Sequence, residues 1–139
     1  MLTVSEIMAL AKEGKNAKTR CRSGYAEHHL QASELSYMKA KHFDLRHIFF
    51  AVPNGQKRTS RQTAWLKEEG LVNGVADMIL LKPNKFYGYL CIENKTPKGR
   101  QSEEQKQFQE AVEANGGKYV ICRSLDDFIR EIETYLQES

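Results

Sequence analysis

At 139 residues, 40% hydrophobic and 28% charged, the chain is long enough to bury one core and too short for two, and its composition is neither disordered nor fibrous. A formal charge of only +3 permits nucleic-acid binding without demanding it, so any electrostatic footprint must come from local clusters. Two such clusters stand out: Lys12, Lys15, Lys18, Arg20 and Arg22 near the N-terminus, and Lys57, Arg58 and Arg61 after a Pro53-Asn54-Gly55 turn. Cys21, Cys91 and Cys122 are odd in number and contain no CxxC pair, which argues against a disulfide framework and a structural zinc site. No apolar run is long enough to span a bilayer and the N-terminus has no signal-like apolar core, so the expected location is the cytoplasm, without membrane contact.

In chain order, Thr3 with Glu6 is a capping-box pair opening a short helix that Gly14 can end. The polar, basic stretch that follows sets an expected division between an N-terminal helix and connection over residues 1–22 and one domain over 23–139. Gly24 to Lys41 has helical spacing, with His28, Gln31, Leu35 and Met38 on one face and Glu27, Gln31 and Glu34 on an adjoining one. Leu45 to Val52 is an apolar run stopped by a turn and reads as a first strand. Ser60 is placed as the cap of a short helix through Glu69, with Gly70 beyond its end.

Val75 to Lys82 predicts a second strand, and Tyr89 to Lys95 a third, joined by a Pro83-Asn84 turn as a hairpin. Ser102 with Gln105 is a further capping box, opening a helix with Phe108, Ala111 and Val112 on its apolar side. Lys118 to Cys122 predicts a fourth strand. A last helix from Ser124 presents Leu125, Phe128, Ile129, Ile132 and Leu136 to the core. The helix between the third and fourth strands is long enough for a crossover, which makes those two strands parallel. The expected architecture is an α/β domain with a small mixed sheet of about four strands flanked by helices.

Chemistry concentrates in the hairpin. Facing residues of an antiparallel pair have a constant sum, here about 170, so Asp77 comes to face Glu93. Two carboxylates at that spacing repel unless a cation lies between them. Lys95, two residues on, shares the face of Glu93 about 6.6 Å further along the strand. An exposed salt-bridge cluster is the plain alternative. Both acids, however, interrupt apolar strand runs, where an unpaired charge is costly. A divalent cation with a nearby ammonium is what phosphodiester hydrolysis needs, because it neutralises phosphate and activates water. His28 and His29 lack a partner at i+4, and neither reads as a metal ligand or general base. Cys91, Tyr37 and Trp65 read as packing residues, although the two aromatics have the chemistry to stack on bases.

Asp, a hairpin, then Glu-x-Lys resembles the core pattern of the PD-(D/E)XK nuclease superfamily, with its restriction-endonuclease-like fold. More narrowly, Glu27 with Gln31, Pro53-Asn54-Gly55, Lys67-Glu68-Glu69-Gly70-Leu71, Gly74-Val75-Ala76-Asp77, Ile92-Glu93-Asn94-Lys95 and Ser102 with Gln105 resemble, in that order, a VRR-NUC domain of the stand-alone phage and bacterial type. The resemblance implies Asp77, Glu93 and the Asn94 carbonyl as ligands of Mg²⁺ or Mn²⁺, and Lys95 as the group that orients or deprotonates water. It also implies Glu27 as an additional acid near the metal or its water and Gln105 as a glutamine approaching the site. Lys57, Arg58, Arg61, Lys98 and Arg100 are the basic residues available to phosphates. Ala76 stands where the superfamily has proline, and Asn94 is polar where an apolar residue is frequent, suggesting a less buried strand side. The expected function is a homodimeric endonuclease acting on branched DNA such as Holliday junctions, in a host cytoplasm if the chain is phage-encoded. A flap or restriction-type nuclease, a catalytically silent nucleic-acid-binding module and a protein-interaction domain are the alternatives.

Overall fold

A computed structural model describes residues 3–13, 23–53 and 58–139. The basic stretch from Lys15 to Arg22, the Asn54-Gly55 turn and Lys57 lie outside the described residues. The elements are α1 (Val4–Glu13), α2 (Ser23–Lys41), a 3₁₀ turn (Phe43–Leu45), β1 (Phe49–Ala51), α3 (Ser60–Glu68), β2 (Met78–Leu80), β3 (Tyr89–Asn94), α4 (Glu103–Ala114), β4 (Gly117–Cys122) and α5 (Leu125–Gln137). They build one sheet in the order β1-β2-β3-β4, in which the first two pairings are antiparallel and β3 with β4 is parallel. This mixed four-strand sheet with flanking helices matches the expected architecture.

Strand alternation divides the core into two layers. Met78, Leu80, Leu90, Ile92, Val120 and Cys122 point to one face and pack with Tyr37 and Met38 of α2, Phe128, Ile132 and Tyr135 of α5, and Ile7 of α1. Cys91 and Tyr119 point to the other face and pack with Val112 of α4 and Ala76. Cys91, pushed up to about 11 by burial, is a packing thiol. Glu93 follows Cys91 onto the α4 face, and Asn94 follows Ile92 onto the α2 face.

Several element boundaries differ from the sequence expectation for physical reasons. β1 begins at Phe49 because Phe43–Leu45 and the following turn occupy the first half of the apolar run. β2 is limited to Met78–Leu80, the three residues that pair with both β1 and β3. Thr59, rather than Ser60, caps α3 through a capping box with Gln62. The pairs Thr3 with Glu6 and Ser102 with Gln105 form the expected boxes. The face of α2 is also displaced: Glu34, Tyr37 and Met38 are buried, whereas His28 and Leu35 are exposed. A buried row containing a glutamate carries little apolar periodicity, which is why the residue pattern pointed to the wrong side.

Glu133 ties α5 to the C-terminal end of α2. Its Oε1 accepts from the Tyr37 hydroxyl at 2.6 Å and lies 2.7 Å from His42 Nε2 and 3.1 Å from Lys41 Nζ. Burial pushes its pKa up, but the hydrogen bonds from Tyr37, His42 and Lys41 outweigh this and hold it below the ordinary 4.5. A carboxylate lowered in the folded state stabilises the fold above its unfolded pKa, and the contribution is lost as pH falls through the folded value. Glu133→Gln is therefore expected to cost about 1–2 kcal/mol at neutral pH. That difference should shrink as pH falls below 4.5, which urea denaturation at several pH values would measure.

Candidate active site

The hairpin register pairs Met78 with Ile92, Ile79 with Cys91 and Leu80 with Leu90. One further step brings Asp77 to Glu93. The Asp77 carboxylate accepts the backbone N–H of Asn94 at 2.7 Å, so it is anchored to the strand that carries Glu93. Glu93 is only 2% exposed. Burial and the facing charge of Asp77 push its pKa up to about 8, against the opposing pull of Lys95. Lys95 Nζ stands 3.9 Å from Glu93 Oε1, at the outer limit of an ion pair.

Gln105 serves two purposes at once. Its Oε1 accepts the Ser102 N–H at 2.9 Å, completing the cap of α4, while its Nε2 donates to Glu93 Oε1 at 2.9 Å. The capping role and the approach to the site therefore belong to one side-chain conformation. Tyr119 donates weakly to the other Glu93 oxygen at 3.4 Å. Burial and the charge of Glu93 raise its phenol far above the ordinary value, so it remains a donor. Glu27 on α2 is half-buried, accepts a backbone hydrogen bond from Thr96 and feels the charges of Lys95 and Asp77; burial is the main cause of its raised pKa.

Position 74 sets the spacing between the Asp77 loop and α4. Gly74 has φ +80°, and a Cβ there would lie 2.4 Å from the Glu104 carbonyl carbon and 2.7 Å from the Gln105 nitrogen. Both the backbone conformation and the contact demand glycine. Gly74→Ala is expected to destabilise the fold by about 2–4 kcal/mol and to displace Gln105 from Glu93, which thermal unfolding and the structure of the variant would show.

The sheet face opposite Glu93 holds a polar pair that the residue pattern did not single out. Asn94 is 1% exposed, contrary to the expectation of a less buried strand side, because its side chain turns into the core and donates to Glu34 Oε2 at 2.9 Å. Burial, aided by the charge of Asp77, pushes Glu34 up to about 8, which favours its neutral form. Glu34 Oε1 and Asn94 Oδ1 have no hydrogen-bond partner among the described residues. A protonated Glu34 has a hydrogen to donate and Asn94 has an acceptor to fill, so the neutral pair avoids a buried charge. Asn94 thus joins α2 to the site: its amide side chain holds Glu34 and its backbone N–H holds Asp77. Arg123 is the other unforeseen residue. Its guanidinium donates to the carbonyls of Thr96 and Gly99, both at 2.7 Å, and so fixes the loop after Lys95.

The basic residues do not gather as closely. Arg61, Lys98 and Arg100 are exposed, and Arg58 donates to the Pro53 carbonyl at 3.2 Å. His28 and His29 are exposed on α2. Tyr37 is fully buried, as a packing residue should be, but Trp65 is 59% exposed and is not part of the core. No helix among the described residues is long and apolar enough to cross a membrane.

Among the described residues, no three His, Cys, Asp or Glu side chains are grouped closely enough to enclose a metal ion. The donors present nevertheless fit a hard cation of the Mg²⁺ kind, which binds through one or two carboxylates and completes its shell with water and substrate phosphate. Asp77 and Glu93 form such a pair, and the raised pKa of Glu93 reflects negative charge in a buried place that a cation would relieve.

Comparison with known proteins agrees with this geometry. No curated protein matches the chain with significance. A solved structure described as a VRR_NUC domain protein superposes with a TM-score of 0.72 at 22% identity, over 82% of this chain and 90% of that one. It is similar in fold, consistent with a restriction-endonuclease-like core. The model of the VRR-NUC domain matches residues 13–126, a span that includes α2, the hairpin, α4 and every candidate site residue. The chain belongs to the VRR-NUC family of nuclease-type domains.

Proposed function

We propose that this protein is a divalent-metal-dependent endonuclease that hydrolyses DNA phosphodiester bonds, with Asp77, Glu93 and Lys95 at its centre. The observation that carries this reading is the buried Glu93 carboxylate, held by Gln105 beside the Asp77 carboxylate with Lys95 at hand. Asp77, Glu93 and the Asn94 carbonyl would hold Mg²⁺ or Mn²⁺, with Glu27 supporting the ion or its water. Such an ion would neutralise the phosphate and make water a better nucleophile.

The protein groups divide the remaining work. The Asn94 N–H and Gln105 Nε2 aim the two carboxylates, so their orientation is fixed before substrate arrives. The Lys95 ammonium, 11% exposed and on the Glu93 face, orients the attacking water or takes part in moving its proton. Arg58, Arg61, Lys98, Arg100 and Lys57 are the phosphate contacts, which position DNA without reading its sequence.

Branched DNA such as a four-way junction is the substrate we favour, cut by a homodimer in the cytoplasm, since two symmetric incisions need two active sites related by a two-fold axis. The test is cleavage of labelled four-way junction, flap, single-stranded and linear duplex DNA in Mg²⁺, Mn²⁺ or chelator. Preferential, metal-dependent cutting of the junction is expected. Preference for flaps or linear duplex would reject junction resolution, and no cutting of any substrate by folded protein would reject the enzyme.

A further inference from the structure

Helix α3 is unusual among the elements in burying no residue. Isolated helices shorter than about 12–15 residues are marginal in water, so this nine-residue helix rests on its capping box and on the half-buried Thr63 and Leu66. Trp65 nonetheless projects from it, 59% exposed. The Arg61 guanidinium lies 5.3 Å from the centre of its ring. An exposed tryptophan forgoes the large apolar burial that usually justifies the residue. Here it leaves a flat aromatic surface beside a cation.

The position of α3 links this surface to the candidate active site. The segment carrying α3 leaves the sheet at Val52, whose N–H donates to the Asp77 carbonyl at 2.8 Å, and it returns through Gly74 against the first turn of α4. One stem of the excursion is therefore bonded to Asp77 and the other lies against the turn of α4 that carries Gln105. Arg58 and Arg61 precede Trp65, while Lys67, Glu68 and Glu69 follow it with a net negative charge at the far end of the helix. The charge favours a polyanion approaching from the N-terminal end and a base reaching Trp65.

We propose that Trp65 is a stacking platform for an unstacked base of the nucleic acid and that Arg61 serves the adjoining phosphate, so that the bound DNA offers α3 a base freed from its duplex, as an opened branch point can. This inference rests on the nuclease reading for the identity of its ligand. Aromatic rings bind single-stranded bases by stacking, and arginine adds cation–π attraction to phosphate contact. A fully paired duplex offers no such base.

Trp65 is the only tryptophan in the chain, so its emission reports on this spot alone. The experiment titrates the whole protein, in chelator, with a short single-stranded DNA and with a blunt duplex of the same sequence, following tryptophan emission and the anisotropy of labelled DNA. Single-stranded DNA is expected to quench the emission while duplex does not. Trp65→Ala is expected to weaken single-strand binding about tenfold and to leave duplex binding unchanged. Because Trp65 is exposed, the variant should fold, as circular dichroism would verify. Unchanged emission together with equal affinity of Trp65→Ala for single strands would overturn the inference and leave α3 to a protein partner. Cleavage by the same protein in Mg²⁺ separates the two readings: quenching without cutting keeps the stacking platform and rejects the nuclease, whereas cutting without quenching does the reverse.

Discussion

Lys95→Ala should lower DNA cleavage by about 10²- to 10⁴-fold, the range for losing a positioned proton-transfer group, while leaving DNA affinity nearly intact. The Lys95 side chain is 11% exposed and its ammonium stands 3.9 Å from Glu93 Oε1, so its reach is into the carboxylate site rather than out along the surface. The exposed Arg61, Lys98 and Arg100 would still meet phosphates in the variant. Single-turnover cleavage alongside anisotropy in chelator separates the two effects. A parallel fall in affinity would make Lys95 another phosphate contact, and the salt dependence of binding would then weaken as well.

Asp77→Asn should make the metal-free protein more stable while lowering cleavage by on the order of a thousandfold, since metal charge stabilisation amounts to several kcal/mol and each 1.36 kcal/mol is tenfold. The amide can still present an oxygen to the Asn94 N–H, which Asp77 accepts at 2.7 Å, so the backbone junction survives. What disappears is the charge that, after burial, does most to raise Glu93. Thermal unfolding without metal should shift upward by a few degrees. The stabilisation that Mn²⁺ gives the wild type by binding the folded state should vanish. A variant less stable than wild type would show that Asp77 holds the fold together, as it would in a structural salt-bridge cluster.

The hairpin was legible because strand alternation and a single turn leave little freedom: a sum near 170 is the register observed, with Met78 opposite Ile92. The α4 cap was legible for a similar reason, since Ser102 and Gln105 have the spacing of reciprocal hydrogen bonds. Glu34 was not. A glutamate in a polar helix usually faces water, and only the three-dimensional arrival of Asn94 from β3 makes its burial affordable. The same limit applies to Arg123, whose three carbonyl contacts lie 24 to 27 residues away along the chain. Trp65 misled in the opposite direction, because aromatic residues are mostly buried and nothing in its neighbours signals a helix that stands off the core.

Within the site, assignments also differ in kind. Asp77, Glu93, Lys95 and Gln105 are joined by contacts, whereas Glu27 is coupled to Asp77 and Lys95 through their charges. The basic residues are scattered over loops and α3, where sequence spacing carries no information about which of them share a surface.

The central claim, that Asp77, Glu93 and Lys95 form a metal-dependent phosphodiesterase site, is tested most directly by single-turnover cleavage of one labelled four-way junction by wild type and Asp77→Asn, in Mg²⁺ and in chelator. Cutting by the wild type in Mg²⁺ alone, slowed on the order of a thousandfold in the variant, is the predicted result. Cutting that persists in chelator or runs at the wild-type rate in the variant, or none at all by folded wild-type protein, would contradict it.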